Sequence, residues 1–251
     1  MIELAWLTIR ARRRRILFLL AFAGLFLAAA VAARLFVADE HGHVNADALF
    51  FLGGYPLVSA LLLLGWLLGR FPMIATLVLV AGLFRDDRDR GHARLLAVRP
   101  TSPVTLYGVR FLVLAGLAFT MSAILLPVFD LLMLGTWAGP ATLVLVLAQV
   151  LFFGALVALL SVWIKGDAWV ALFLFLASLV WDALIQAGTL QAPAGVRAVV
   201  AFLLPPQAEL LRLEEAFGTL QPIPWDAFAD VAGYGLVLLA LAGLSVMRRE
   251  I

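Results

Sequence analysis

Cysteine is absent from the 251 residues, which removes disulfides, thiolate metal sites and thiol catalysis together. Lysine occurs once, at Lys165, and no Gly-x-x-x-x-Gly-Lys-Ser/Thr run leads to it, so the chain has no phosphate loop with which to hold ATP. No Gly-x-Ser-x-Gly elbow is present, and His41, His43 and His92 all lie outside the apolar runs. A serine within the membrane would therefore have no histidine base beside it, which leaves an enzyme reading without a nucleophile and base pair. Charge is scarce too: Asp, Glu, Lys and Arg make up 14% of the chain.

What fills the sequence instead is apolar. Hydrophobic residues account for 65% of it and mean hydropathy is +1.08, against roughly 45–50% apolar in soluble domains. A helix crossing about 30 Å of hydrocarbon uses about 20 residues, so this length holds about five to seven spans and no soluble domain. The pI near 9.5 comes from arginines clustered at span ends, where orientation accounts for them without a nucleic-acid partner.

Residues 1–15 set Ile2, Trp6 and Ile9 on one helical face, with Glu3, Arg10 and Arg12 to Arg15 elsewhere, the pattern of an amphipathic helix on a membrane surface. The apolar run that follows exceeds the roughly 7–15 residues of a signal-peptide core, so 16–37 reads as a retained span. A long apolar stretch, 49–84, is read as an outer interfacial piece and then a span over 56–84 kinked near Pro72. Further spans are expected at 111–134, 141–164, 168–188 and 227–247. Between the last two, 189–226 is broken by Pro193, Pro205, Pro206, Pro222 and Pro224, which suits short external or re-entrant helices better than a span. Counting Lys and Arg gives about fourteen on one side and three near or beyond the other, which places both termini and the 85–103 loop in the cytoplasm by the positive-inside rule. The expected fold is thus an all-α membrane protein of six spans, a single transmembrane domain.

Three features invite a functional reading. His41 and His43, beside Asp39, Glu40 and Asp47, are metal-ligand types, but without rigid elements to fix them they read as a solvated loop. Arg70, Asp130, Gln149 and Asp182 fall inside the expected spans, where a charge costs roughly 2.5–3.5 kcal/mol and is usually paired or functional. Rise per residue puts Arg70, Gln149 and Asp182 at about the same depth, roughly 21 Å from the cytoplasmic end, with Asp130 near 28 Å. An Arg70–Asp182 ion pair with Gln149 nearby is therefore expected, either structural or as part of a polar path. The third feature is the mixed-charge loop 85–103, which composition alone reads as a solvated loop.

In and just after that loop, the run Asp86-Asp87-Arg88 with Gly91, Leu95-Leu96, Arg99-Pro100, Ser102, Tyr107-Gly108 and Arg110 resembles the loop between the second and third spans of type 2 ATP-binding-cassette permeases. The surface helix before the first span, the broken helices before the last and the terminal Arg248-Arg249-Glu250 extend the likeness over the whole chain. Arg110 stands where that family usually has lysine. The resemblance implies a permease subunit of an exporter in a bacterial cytoplasmic membrane, paired with a second permease subunit and two separate ATPase subunits. Those partners would bind ATP and Mg, with no cofactor in this chain. Glu3, Trp6 and Arg10 of the surface helix, together with the loop residues from Asp86 to Arg99, would dock on the ATPases. Two rivals remain open: a proton-coupled secondary transporter using the buried charges, and a membrane anchor joining a cytoplasmic ATPase to an external partner.

Overall fold

The computed structural model describes residues 2–37, 69–89, 102–133, 139–189, 206–218 and 222–249, with isolated positions between them. Every regular element among these residues is a helix: α1 (Ile2–Ala11), α2 (Arg13–Val37), α3 (Phe71–Val80), α4 (Arg85–Asp89), α5 (Pro103–Met133), α6 (Ala141–Trp163), α7 (Asp167–Gln186), α8 (Gln207–Gly218) and α9 (Trp225–Arg249). Five of them, α2, α5, α6, α7 and α9, are long and apolar enough to cross a membrane, and α3 is apolar but only 10 residues long. The chain is an all-helical, multi-pass membrane protein.

Local chemistry fixes several boundaries. Ser102 caps α5 by accepting the Thr105 backbone N–H at 3.2 Å, and Pro103 occupies the first helical position, where no N–H is needed. Hydropathy opens this helix at Phe111; the cap opens it eight residues earlier, because hydropathy marks where a helix meets lipid and the cap marks where it begins. The chain is interrupted at Arg70, just before α3, with Pro72 in the first turn. The expected kink near Pro72 is thus an interruption two residues earlier, at Arg70, with helical positions at Leu67 and Gly69 on its other side.

α6 forms the centre. Two-thirds of its apolar window is buried (67%), against 22% for α2 and 17% for α7, so α6 meets protein on most sides while the others face outward. It packs most extensively on α9 and also touches α3, α5, α7 and α8. Phe152 and Phe153 are fully buried on it, reaching Tyr234 of α9 at 5.7 Å and Phe175 of α7 at 5.4 Å between ring centroids. Next to them, Gly154 lets Phe111 of α5 and Thr76 of α3 close in: a Cβ there would lie 3.1 Å from the Phe111 ring and 3.2 Å from the Thr76 methyl. On α7, Trp169, Phe173, Leu176 and Val180 recur at helical spacing and are exposed, an apolar stripe that only lipid or another apolar surface can cover.

The helices alternate in direction. α3 returns toward the start of α2, the Tyr107 ring of α5 meets Phe84 at 4.5 Å, and Val104 of α5 lies beside Gly243 of α9. One end of the bundle therefore gathers Arg10, Arg12 to Arg15, Arg85, Arg88, Arg110, Lys165 and Arg248, and we call it the arginine end.

Candidate functional site

Among the described residues, two polar assemblies interrupt the apolar bundle. The first is at the arginine end, built on the turn between α3 and α4. Four terminal carbonyls of any helix lack intrahelical partners, and at the end of α3 side chains supply some of them. The Arg15 guanidinium donates to the carbonyls of Val78 (3.0 Å) and Ala81. Gly82 then turns through φ +68°, a conformation open to glycine at little cost. Its carbonyl accepts from Arg12 (3.2 Å) and its N–H donates to Asp167 Oδ2 (2.6 Å). Asp86 closes the assembly through an ion pair to Arg12 at 2.8 Å and a longer one to Arg15 at 3.6 Å. Three regions distant in sequence, the α1–α2 junction, the 78–89 stretch that includes α4, and the start of α7, are thereby locked together.

Arg12 sits at the break between α1 and α2, on the same buried face as Thr8 one turn earlier. α1 consequently presses a polar stripe against the bundle and turns Trp6 and Leu7 outward, with Glu3 and Arg10 also exposed. Of the loop residues singled out from sequence, Asp86 is in the clamp and Arg88 is exposed. The Asp87 side chain, Arg90, Gly91, Leu95, Leu96 and Arg99 lie outside the described residues, as do His41 and His43. Sequence reasoning missed Arg12, Arg15, Gly82 and Asp167 as a unit. The arginines were absorbed into the positive-inside count, and nothing local announces that Asp167 reaches a backbone N–H 85 residues away.

The second assembly lies deeper in the bundle, where the chain breaks before α3. Arg70 is buried and forms an ion pair with Glu214 of α8. Gln149 of α6 donates from Nε2 to Glu214 Oε1 and to the Gly69 carbonyl, both at 3.3 Å, the second of these serving a carbonyl next to the helix break. The guanidinium also stacks over the Phe175 ring of α7, 5.3 Å from its centroid.

This corrects the pairing expected from depth. Arg70 and Gln149 do come together, but the carboxylate is Glu214 rather than Asp182. Asp182 lies two turns beyond Phe175 on α7, roughly 10 Å further along the axis, and is half-buried. Counting rises along uninterrupted helices could not register a proline-flanked segment that folds back into the bundle. Asp130 is buried on α5, three residues past Pro127. Beyond this cluster, Arg212 of α8 bonds Glu209 and Asp226 at 2.7 Å each; the Asp226 bond first and the Glu209 bond second push its guanidinium above its usual pKa.

No family model matches the sequence, and no curated protein or solved structure matches the chain. Function therefore has to be argued from the two assemblies. Among the described residues no group of three or more His, Cys, Asp or Glu is placed to hold a metal. The arginine-end clamp can transmit force, because it ties a surface helix to the ends of three bundle helices. The deeper cluster can hold charge away from water, because the Glu214 carboxylate meets both the Arg70 guanidinium and the Gln149 Nε2, while Gln149 Oε1 is buried with no hydrogen-bond partner among the described residues.

Proposed function

We propose that the chain is the membrane-spanning subunit of an ATP-driven exporter of the type 2 ATP-binding-cassette class, crossing a bacterial cytoplasmic membrane six times with both termini inside. It works as a dimer of such subunits on two separate ATPases. One observation carries this reading: Arg12 and Arg15, at the root of the exposed helix α1, grip the turn and the aspartate from which the 85–103 loop departs. The two elements that the family resemblance assigns to ATPase docking are therefore mechanically one piece. A push on either is delivered to α3 through its terminal carbonyls and to α7 through Asp167. ATP and Mg are held by the partner, in keeping with the missing phosphate loop, and this chain contributes motion rather than covalent chemistry.

The test is a pull-down of the tagged chain from its native membrane, comparing wild type with Asp87→Arg plus Arg90→Glu. Recovery of an ATP-binding-cassette ATPase that the double variant loses is the expected result. A folded wild type that brings down no such ATPase overturns the reading.

The buried Arg70–Glu214–Gln149 cluster favours a second reading, a proton-coupled secondary transporter, since ionisable groups within a bundle often line ion paths. It predicts transport by the purified chain alone in vesicles with a proton gradient and no ATPase. The membrane-anchor alternative predicts ATPase recovery without any transport.

A further inference from the structure

Between α1–α2 and α5 at the arginine end, a cavity of about 70 Å³ is lined by Thr8, Arg12, Arg15, Asp86 and Arg110, with Leu83 and Leu114 as its apolar floor. Three guanidinium-bearing side chains and one carboxylate line it, with Asp86 paired to Arg12 and Arg15. Directly beside it, an apolar groove of about 340 Å³ runs over α6 between α5 and α9, from Val104 and Val246 at the arginine end to Leu151 and Leu236 deeper in. Leu83 lines both spaces. The Arg110 guanidinium, which lines the polar cavity, lies 5.9 Å from the centroid of the Tyr107 ring, which lines the groove. A basic cavity and an apolar trough thus adjoin across one layer of side chains, at the end of a membrane bundle.

We propose that this pair of spaces is the seat of one anionic phospholipid, its phosphate among Arg12, Arg15 and Arg110 and an acyl chain in the groove. Guanidinium groups bind phosphate oxygens with paired, charge-assisted hydrogen bonds. Basic pockets between membrane helices are suited to anionic headgroups, and a trough with no polar lining to speak of is suited to a hydrocarbon chain. A free phosphate would use only the first space, and an acidic peptide would leave the second unfilled, so the juxtaposition selects a lipid. Seated there, the lipid braces α1 and the Gly82 turn against α5 and α9. This inference rests on the membrane reading alone and is independent of whether an ATPase drives the protein.

The experiment uses the full chain purified in mild detergent. Thermal unfolding is followed by tryptophan fluorescence with added dioleoyl phosphatidylglycerol, dioleoyl phosphatidylcholine or inorganic phosphate, and native mass spectrometry counts lipid retained per chain. Phosphatidylglycerol is expected to raise Tm saturably and to be retained at one per chain. Phosphatidylcholine with the same chains and inorganic phosphate are expected to do neither. Arg110→Gln weakens phosphatidylglycerol binding roughly fivefold, the worth of one arginine near an anionic headgroup. Arg13→Gln, which removes the same charge at an exposed position of the same end, leaves it unchanged, and Gly243→Leu, which fills the groove, reduces retention.

Equal shifts from the two lipids overturn the proposal, as do equal losses in Arg110→Gln and Arg13→Gln, which would mean diffuse surface attraction. A shift reproduced by inorganic phosphate would mean an anion site without a lipid. Retention of phosphatidylglycerol by the wild type, read directly by mass, keeps the idea testable should Arg110→Gln not fold; its absence overturns it.

Discussion

The backbone N–H of Gly82 donates to the Asp167 carboxylate at 2.6 Å, joining the turn after α3 to the first turn of α7 across 85 residues of chain. Both groups are buried, so neither has water to fall back on. The bond fixes where two bundle helices meet at the arginine end, and Arg12 holds the other face of the same glycine.

Removing the acceptor should therefore be felt. Asp167→Ala leaves a buried N–H without its partner, a loss of about 1–3 kcal/mol. Unfolding of the purified variant in denaturant should read that loss, whereas truncation of the exposed Glu3 should stay within about 0.5 kcal/mol of wild type.

A side chain at Gly82 is strained and meets Asp86. At φ +68° an L residue costs about 1–2 kcal/mol, and a Cβ here would also sit 2.5 Å from Asp86 Oδ1. Gly135, at φ +72° with nothing within 4 Å of a Cβ, is the matched control. Gly82→Ala is expected to cost clearly more than Gly135→Ala when both are measured by thermal unfolding. Equal losses would show that Asp86 moves aside without consequence for its arginines.

Arg70 and Glu214 should behave as a unit. Glu214→Ala strands the buried Arg70 charge, at about 3–5 kcal/mol, Arg70→Ala leaves the partly exposed Glu214 unpaired at a smaller cost, and the double variant Arg70→Ala, Glu214→Ala should cost much less than the sum. Asp182→Ala combined with Arg70→Ala should instead be additive. A double-mutant cycle on the two pairs, read from detergent unfolding curves, separates the two assignments directly.

Gly154 lies at a close approach of α3, α5 and α6. Gly154→Val overpacks this contact, for which about 1–3 kcal/mol is the usual loss, while Gly116→Val on α5 meets nothing within 4 Å and should be tolerated. Comparing the yield and Tm of the two purified variants tests whether the closeness matters.

The helical class and the five long spans were legible because lipid demands apolar residues over about 20 positions and leaves few ways to write them. Arg70 and Gln149 could be singled out on the same ground, since a charge or amide in such a run stands out. Their carboxylate could not be. Glu214 sits in a segment so divided by prolines that its path back into the bundle depends on packing against α6 and α9, which no local pattern encodes. The clamp was hidden differently: Arg12 and Arg15 are ordinary span-end arginines until Gly82 and Asp86 are brought to them, and Asp167 reads as a turn residue after Lys165-Gly166. Of the docking loop, only 85–89 and the closing Ser102-Pro103 fall within the described residues, and none of the histidine loop does.

The break at Arg70 has an electrical consequence. A helix of 10 residues is about 15 Å long, half the hydrocarbon thickness, so α3 begins well inside the bundle rather than at its surface. Its aligned peptides leave a partial positive charge of about half an elementary unit at that start. The Glu214 carboxylate, drawn there by the residue that precedes the helix, thus meets a fixed field as well as the Arg70 side chain. The bundle holds this anion beside a dipole that no substitution of side chains can remove.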